Sequence, residues 1–159
     1  MDKILAELYK DSRVSADFLA KKYGMEKSEV EKKIADFEKN GIIHGYTVIL
    51  DDRAFGEEQV SALIEVKITP RRDGGFDEVA QRIAKFPEVK DLFLVSGSYD
   101  LLINVSGSSL KEVANFVAAK LATIDGVLST STSFQLKKYK QAGHIFENGE
   151  DYERLKVCP

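Results

Sequence analysis

The chain begins with three short stretches in which apolar residues recur at helical spacing between polar breaks. In "DKILAELYK", Ile4, Leu5 and Leu8 form one stripe, which predicts a first helix. "DSRVS" interrupts it, with Ser15 placed as an N-cap and Asp17 in the following first turn, where the helix dipole favours negative charge. The second helix, "ADFLAKKY", is expected to bury Phe18 or Leu19 with Ala20. Gly24 should end it, because glycine tolerates the left-handed conformation of a sharp helix exit. After "GMEK", Val30, Ile34 and Phe37 repeat at i, i+4 and i+7 along "SEVEKKIADFEKN", predicting a third helix that stops at Asn40 and Gly41. Three helices with a tight glycine turn between the second and third describe a helix-turn-helix unit.

The pattern then changes. "GIIHGYTVIL" is β-branched and aromatic and reads as a strand, and the polar "DDRAFGEEQ" reads as a linker or hinge. In "VSALIEVKITP", Val60, Ala62, Ile64, Val66 and Ile68 alternate onto one face of a strand that Pro70 closes. "FDEVAQRIAKF" places Phe76, Val79, Ile83 and Phe86 at helical spacing before Pro87. "VKDLFLVSG" and "YDLLINVSG" predict two strands joined across Gly97 and Ser98 as an antiparallel hairpin. "SLKEVANFVAAKLATIDG" predicts a helix of about four turns with Leu110, Val113, Val117 and Leu121 inward, ended by Gly126. In the last strand, "VLSTSTSFQLKKYK", Thr130, Thr132, Phe134 and Leu136 project to one face, and Ser129, Ser131, Ser133 and Gln135 to the other. The small hydroxyl side chains suit either close sheet packing or a polar ligand, or are plain strand filler. The order strand, helix, strand, strand, helix, strand is the ferredoxin-like split unit, so the fold class is α+β. The expected division is a helix-turn-helix domain at 1–50, a linker at 51–59, a ferredoxin-like domain at 60–140 and a polar tail at 141–159.

Composition narrows the function classes. A chain of 159 residues with 43% hydrophobic content fills one core or two small ones. No stretch reaches the roughly 18 apolar residues needed to cross a bilayer, and "MDKILAELYKDSR" lacks a signal peptide's apolar core, so no membrane association and a cytoplasmic location are expected. The single cysteine, Cys158, forms no internal disulfide or multi-thiolate site. His44 and His144 stand alone, without metal-ligand spacing, and no phosphate-cradling glycine loop or nucleophile elbow is present. "PRRDGG" reads as a turn with a basic edge. No metal, no cofactor and no enzymatic centre are therefore expected. The net charge of −3 does not advertise nucleic acid, and residues 1–50 hold nine basic and nine acidic side chains, so 9 − 9 gives zero. Asp100, between two apolar runs in "VSGSYDLLINVSG", needs hydrogen bonds or a cation. Backbone N–H groups of the Gly97 to Tyr99 turn are one source, and the amino group of a bound ligand is another.

"GIIHGYTVIL" after a helix-turn-helix, followed by "VSGSYDLLINV" and "IDGVLSTSTSFQL" in a ferredoxin-like domain, closely resembles the leucine-responsive and asparagine-responsive (Lrp/AsnC, feast/famine) transcription regulators. The resemblance runs from about Lys3 to Lys140 and rests on the order and spacing of the motifs together. It implies an N-terminal (winged) helix-turn-helix domain on double-stranded DNA and a RAM/ACT-like regulatory domain that forms a homodimer and assembles further, with an amino acid bound between regulatory domains. On the third helix the side opposite Val30, Ile34 and Phe37 would meet DNA, making Lys27, Ser28, Lys32 and Lys33 the candidates, with Lys21 and Lys22 adding backbone contacts. Lys33 stands where the family usually has arginine, and Lys32 where it is often basic. Two departures are Glu26, at the usual serine or threonine cap, and the carboxylates Glu29, Glu31 and Asp36 on or near the same face. Glu29 and Lys33 also suit an i,i+4 surface pair. For the effector the resemblance implies Gly97, Ser98, Tyr99 and Asp100, with Ser131 and Thr132 as further candidates.

The expected function is a sequence-specific transcription regulator whose DNA binding or assembly responds to a small molecule, an amino acid foremost. The alternative is an amino-acid-sensing oligomer that acts through a protein partner with little DNA binding, which the acidic third helix favours. Enzymatic relatives of this two-domain plan act in tetrapyrrole metabolism, but no convergent acid-base pair is visible here.

Overall fold

The computed structural model describes residues 1–51, 54, 59–69 and 75–146. The chain divides into two units, Met1–Ile49 and Leu50–Pro159. The expected linker lies largely outside the described residues, as do Pro70, most of "PRRDGG" and the tail from residue 147 with Cys158.

The first unit holds α1 (Lys3–Lys10), α2 (Ala16–Tyr23) and α3 (Lys27–Lys39). Each start has a side-chain acceptor for an otherwise orphaned N–H group. The Asp2 carboxylate accepts from Ile4 N–H at 2.8 Å, and Ser15 Oγ accepts from Phe18 N–H at 3.2 Å. Glu26 caps α3, and its own N–H donates to the Glu29 carboxylate at 3.3 Å. Gly24 ends α2 in the left-handed region at φ 63°, as the turn requires. Ile4, Leu8, Leu19, Ala20 and Val30 form the core, with Ile34 and Phe37 packed against it. Leu19 goes inside and Phe18 stays exposed, which settles that choice. Residues 42–50, expected to be a strand, join no ladder. A strand needs a partner, and the described part of this all-helical unit offers none. Ile42, Tyr46 and Val48 remain exposed, while Tyr46 Oη donates to the Glu38 carboxylate at 2.9 Å.

The second unit has the ferredoxin-like order: β1 (Val60–Ile68), α4 (Asp77–Ala84), β2 (Val89–Leu94), β3 (Leu101–Gly107), α5 (Leu110–Phe116, continued by a π-helical turn at Val117–Leu121) and β4 (Val127–Phe134). The sheet order is β2-β3-β1-β4, antiparallel throughout. Ala62, Ile64, Val66 and Ile68 of β1 are buried, as their alternation predicts, beside Leu101, Ile103 and Val105 of β3. Val79, Ile83, Val113, Phe116, Leu121 and Ile124 cover them. At roughly 1.5–3 kcal/mol for each large apolar side chain removed from water, this layer is the unit's main stabilising contribution.

One expectation is corrected. Leu110, the first residue of the helix, is exposed, and the inward stripe runs through Val113 and Phe116, while the π turn adds one residue and brings Leu121 back onto that face. The polar tail begins with structure: Lys140–Gln141 (β5) and His144–Ile145 (β6) pair antiparallel around Ala142 and Gly143, both at positive φ. Among the described residues no helix is long and apolar enough to cross a membrane.

Candidate nucleic-acid and effector sites

Val30 lies at 0% exposure beneath α3, so the helix turns Lys27, Ser28, Lys32 and Lys33 to solvent. Three of the six candidate DNA contacts already hold carboxylates of their own unit. Lys27 Nζ lies 3.0 Å from Asp17 Oδ2 and 3.9 Å from Glu31 Oε1, and the Asp17 hydrogen bond raises its pKa. Lys33 Nζ lies 3.3 Å from Asp2 Oδ2. Lys22 Nζ lies 2.8 Å from Glu7 Oε2, above the Phe18 and Tyr23 rings, and its pKa is raised by that hydrogen bond. Among the described residues, Lys21 and Lys32 have no carboxylate at ion-pair distance.

The expected pairing of Glu29 with Lys33 does not form. Glu29 bends back to the Glu26 N–H, an orphan donor at the helix start, and Lys33 reaches α1 instead. Glu29 is thereby turned toward the positive end of the α3 dipole, while Glu31 is drawn to Lys27.

In the second unit the connection from β2 to β3 runs through residues 95–100, closed by Val95 N–H donating to Asp100 O at 2.9 Å. Gly97 and Ser98 are exposed, and Tyr99 and Asp100 are half-buried. The Asp100 carboxylate accepts from Ile68 N–H at 2.8 Å, across the sheet at the end of β1, and not from the Gly97 to Tyr99 turn. The β1–β3 ladder ends at Val66 and Leu101, so the Ile68 N–H lies just past its last pair, and Asp100 supplies its acceptor.

Ser131 and Thr132 are not brought together. Ser131 pairs with Glu65 on the exposed face, whereas Thr132 pairs with Ile64 on the helix-covered face. β1 also stands between β3 and β4, which puts β4 about 10 Å from β3, the strand that Asp100 leads into.

Sequence reasoning missed a shallow cavity of about 430 Å³ where β3 meets α5, lined by Glu88, Ser108, Glu112, Phe116 and Lys120 among others. The Glu88 carboxylate pairs with Lys120, which holds its pKa down. Glu112 accepts from Ser108 N–H at 2.6 Å and Ser108 Oγ at 2.7 Å, and these bonds hold its pKa down too. The available signal was "SLKE": Ser109 Oγ accepts from Glu112 N–H at 3.2 Å, a serine-to-glutamate spacing typical of helix starts. Among the described residues no group of three or more His, Cys, Asp or Glu stands together as a metal site.

Comparison with known proteins identifies the architecture. The Lrp/AsnC ligand binding domain matches residues 61–145. The uncharacterized HTH-type transcriptional regulator YugG of Bacillus subtilis is 46% identical over 158 residues, covering 99% of this chain and 95% of its own. The HTH-type transcriptional regulator LrpA of Pyrococcus horikoshii is 30% identical over 140 residues, covering 87% and 96%. The crystal structure of a Neisseria meningitidis transcriptional regulator in complex with L-Met superposes with a TM-score of 0.68 at 26% identity, covering 89% of this chain and 93% of that one. With a helix-turn-helix unit before the matched domain and similarity over nearly its whole length, the chain belongs to the Lrp/AsnC family of transcription regulators.

Proposed function

We propose that two or more copies of the protein bind operator DNA through their α2 and α3 helices, and that an amino acid bound beside the Gly97 to Asp100 connection changes this binding by changing assembly. The observation that carries the proposal is α3 itself, a capped helix after a glycine turn, anchored by Val30 and exposing Ser28 and Lys32. Lys21, Lys22, Lys27 and Lys33 complete the proposed phosphate contacts, three of them by exchanging a carboxylate for a phosphate. A unit with no net charge binds DNA weakly alone, so joining copies raises the effective concentration of the second helix. The unpaired residues 42–50, with exposed Ile42, Tyr46 and Val48, favour such joining by pairing with a second copy.

The Neisseria regulator was crystallised with L-Met, which supports an amino acid as the class of effector. Gly97, Ser98 and Tyr99 would offer N–H groups to its carboxylate, with Asp100 fixing the connection. Ser131 and Thr132 lie on opposite sheet faces, so a second copy would have to bring one of them to the ligand. An effector that favours one assembly state shifts the population toward it and changes how many α3 helices engage DNA together. The domain limits fitting this division are 1–50, 51–59 and 60–140, and a regulator of this kind works in the cytoplasm.

Electrophoretic shift on the protein's own upstream DNA, titrated in salt and repeated with a panel of amino acids, tests the proposal. Salt-sensitive binding that one amino acid alters is expected. The lysines held by Asp2, Glu7 and Asp17 favour one second reading, a sensor that acts on a protein partner. No shift at low salt, with amino-acid binding still measurable by calorimetry, would establish that reading instead.

A further inference from the structure

The helix-turn-helix unit has no net charge, and a stretch of net positive charge lies outside it. From Gly126 to Phe146 the sequence contains no Asp or Glu, but holds Lys137, Lys138 and Lys140. With a net charge of −3 for the whole chain, this stretch carries +3 and the remainder −3 − 3 = −6.

The fold gives the stretch a defined shape. β5 and β6 pair Lys140 with Ile145 and Gln141 with His144. The turn residues Ala142 and Gly143 have φ 44° and 87°, the handedness that matches the twist of a tight hairpin. Phe146 N–H donates to Tyr139 O at 3.0 Å and extends the pairing. Lys137 lies over the Tyr139 ring at 5.1 Å, and Lys138 over the Phe146 ring at 5.3 Å, which orients the two ammonium groups. Lys137, Tyr139, Lys140 and His144 are exposed. Among the described residues, neither Lys137 nor Lys140 has a carboxylate at ion-pair distance, in contrast to Lys22, Lys27 and Lys33.

We infer that the Lys137 to Phe146 hairpin is a second DNA-contacting surface, which binds duplex phosphates through Lys137 and Lys140 with the Tyr139 hydroxyl as a further donor. The inference rests on the DNA-binding function proposed above. Charge complementarity selects the partner: the ammonium groups of Lys137 and Lys140, without a carboxylate at ion-pair distance among the described residues, suit a polyanion, and lysine meets phosphate as a point charge. Such contacts are blind to base sequence, so the hairpin adds affinity on any duplex and leaves operator choice to α3.

The test is a double variant of the full chain, Lys137→Gln with Lys140→Gln, against the wild type. Fluorescence anisotropy follows binding to the upstream duplex and to an unrelated duplex of equal length over a range of salt, and light scattering gives the assembly mass. A salt slope shallower by about 2 per bound protomer on both duplexes, at unchanged mass, is expected. An unchanged slope in the presence of normal wild-type binding overturns the inference and leaves the helix-turn-helix reading intact. A changed assembly mass also overturns it, because the hairpin, with exposed Tyr139 and Ile145, would then be a contact between copies. A wild type that binds neither duplex overturns both proposals together.

Discussion

The Asp100 carboxylate accepts from Ile68 N–H at 2.8 Å, while Asp100 N–H donates to Val66 O at 3.0 Å, so the residue just before β3 fastens the end of β1 at two points. Asp100→Ala leaves Ile68 N–H without its acceptor and should cost about 1–3 kcal/mol in urea unfolding. Asp100→Asn keeps an amide oxygen at the same place and should cost less than about 1 kcal/mol. Calorimetry with amino acids separates the roles. Effector binding retained in Asp100→Asn and lost in Asp100→Ala is expected for a residue that fixes the connection. Equal loss in both would make the charge itself a ligand contact.

On α3 the neighbours Lys32 and Lys33 should respond differently. Lys32 has no carboxylate partner among the described residues, so Lys32→Gln should weaken DNA binding and reduce the salt slope by about 1 per protomer, with stability unchanged. Lys33 bridges to Asp2 on α1, so Lys33→Gln should also lower stability, by up to about 1 kcal/mol as for other exposed pairs. Lys33→Glu sets a second carboxylate near Asp2 and should weaken DNA binding further. DNA affinity unchanged in all three variants would remove this face from the interface.

What could be read from the sequence follows the range of each interaction. The alternation of β1 and the caps Ser15 and Gly24 are local, and the structure places them as the spacing demands. The partners of Asp100 and Lys33 lie 32 and 31 residues away in the chain, where no local pattern points to them. Residues 42–50 have the composition of a strand, but composition does not supply a partner strand. The hairpin at 140–145 escaped notice because its strands are two residues each, too short for a visible alternation. Ser131 and Thr132 were legible as opposite faces of a strand, but which face is covered depends on the whole sheet.

Glu7 makes the first unit sensitive to acid. Its hydrogen bond from Lys22, aided by the Lys22 and Lys10 charges and the Tyr23 hydroxyl, holds its pKa below the ordinary 4.5. A carboxylate whose pKa is lower folded than unfolded contributes stability above the unfolded value and loses it as pH falls through the folded one. Asp2 adds to this: burial opposes ionisation, but the Ile4 N–H and Lys33 outweigh it and leave its pKa lowered. Thermal melting should therefore be level near neutral pH and fall below about pH 4.5, with a shallower fall in Glu7→Gln. Identical acid profiles for wild type and variant would show that the Lys22 pair does not contribute.

The last helix makes the sharpest packing prediction. The spacing of Leu110, Val113, Val117 and Leu121 predicts all four inward, but Leu110 at the first position of the helix is exposed and Phe116 is buried against Phe86, with ring centroids 5.6 Å apart at 80°. Phe116→Ala should thus cost about 3–5 kcal/mol, the range for emptying a large aromatic site in a core. Leu110→Ala should stay within about 0.5 kcal/mol, as exposed positions do. Urea unfolding of the two variants checks this, because an inward stripe led by Leu110 would move the larger loss to Leu110. The π turn is closed by Ala122 N–H donating to Val117 O at 2.8 Å and holds one residue more than a regular turn, so deleting the exposed Ala118 should restore a regular helix with Leu121 seven positions after Val113, still on the core face. That deletion should therefore cost less than Phe116→Ala, and a loss as large would show that the π turn itself is needed to seat Leu121, which the same titration would decide.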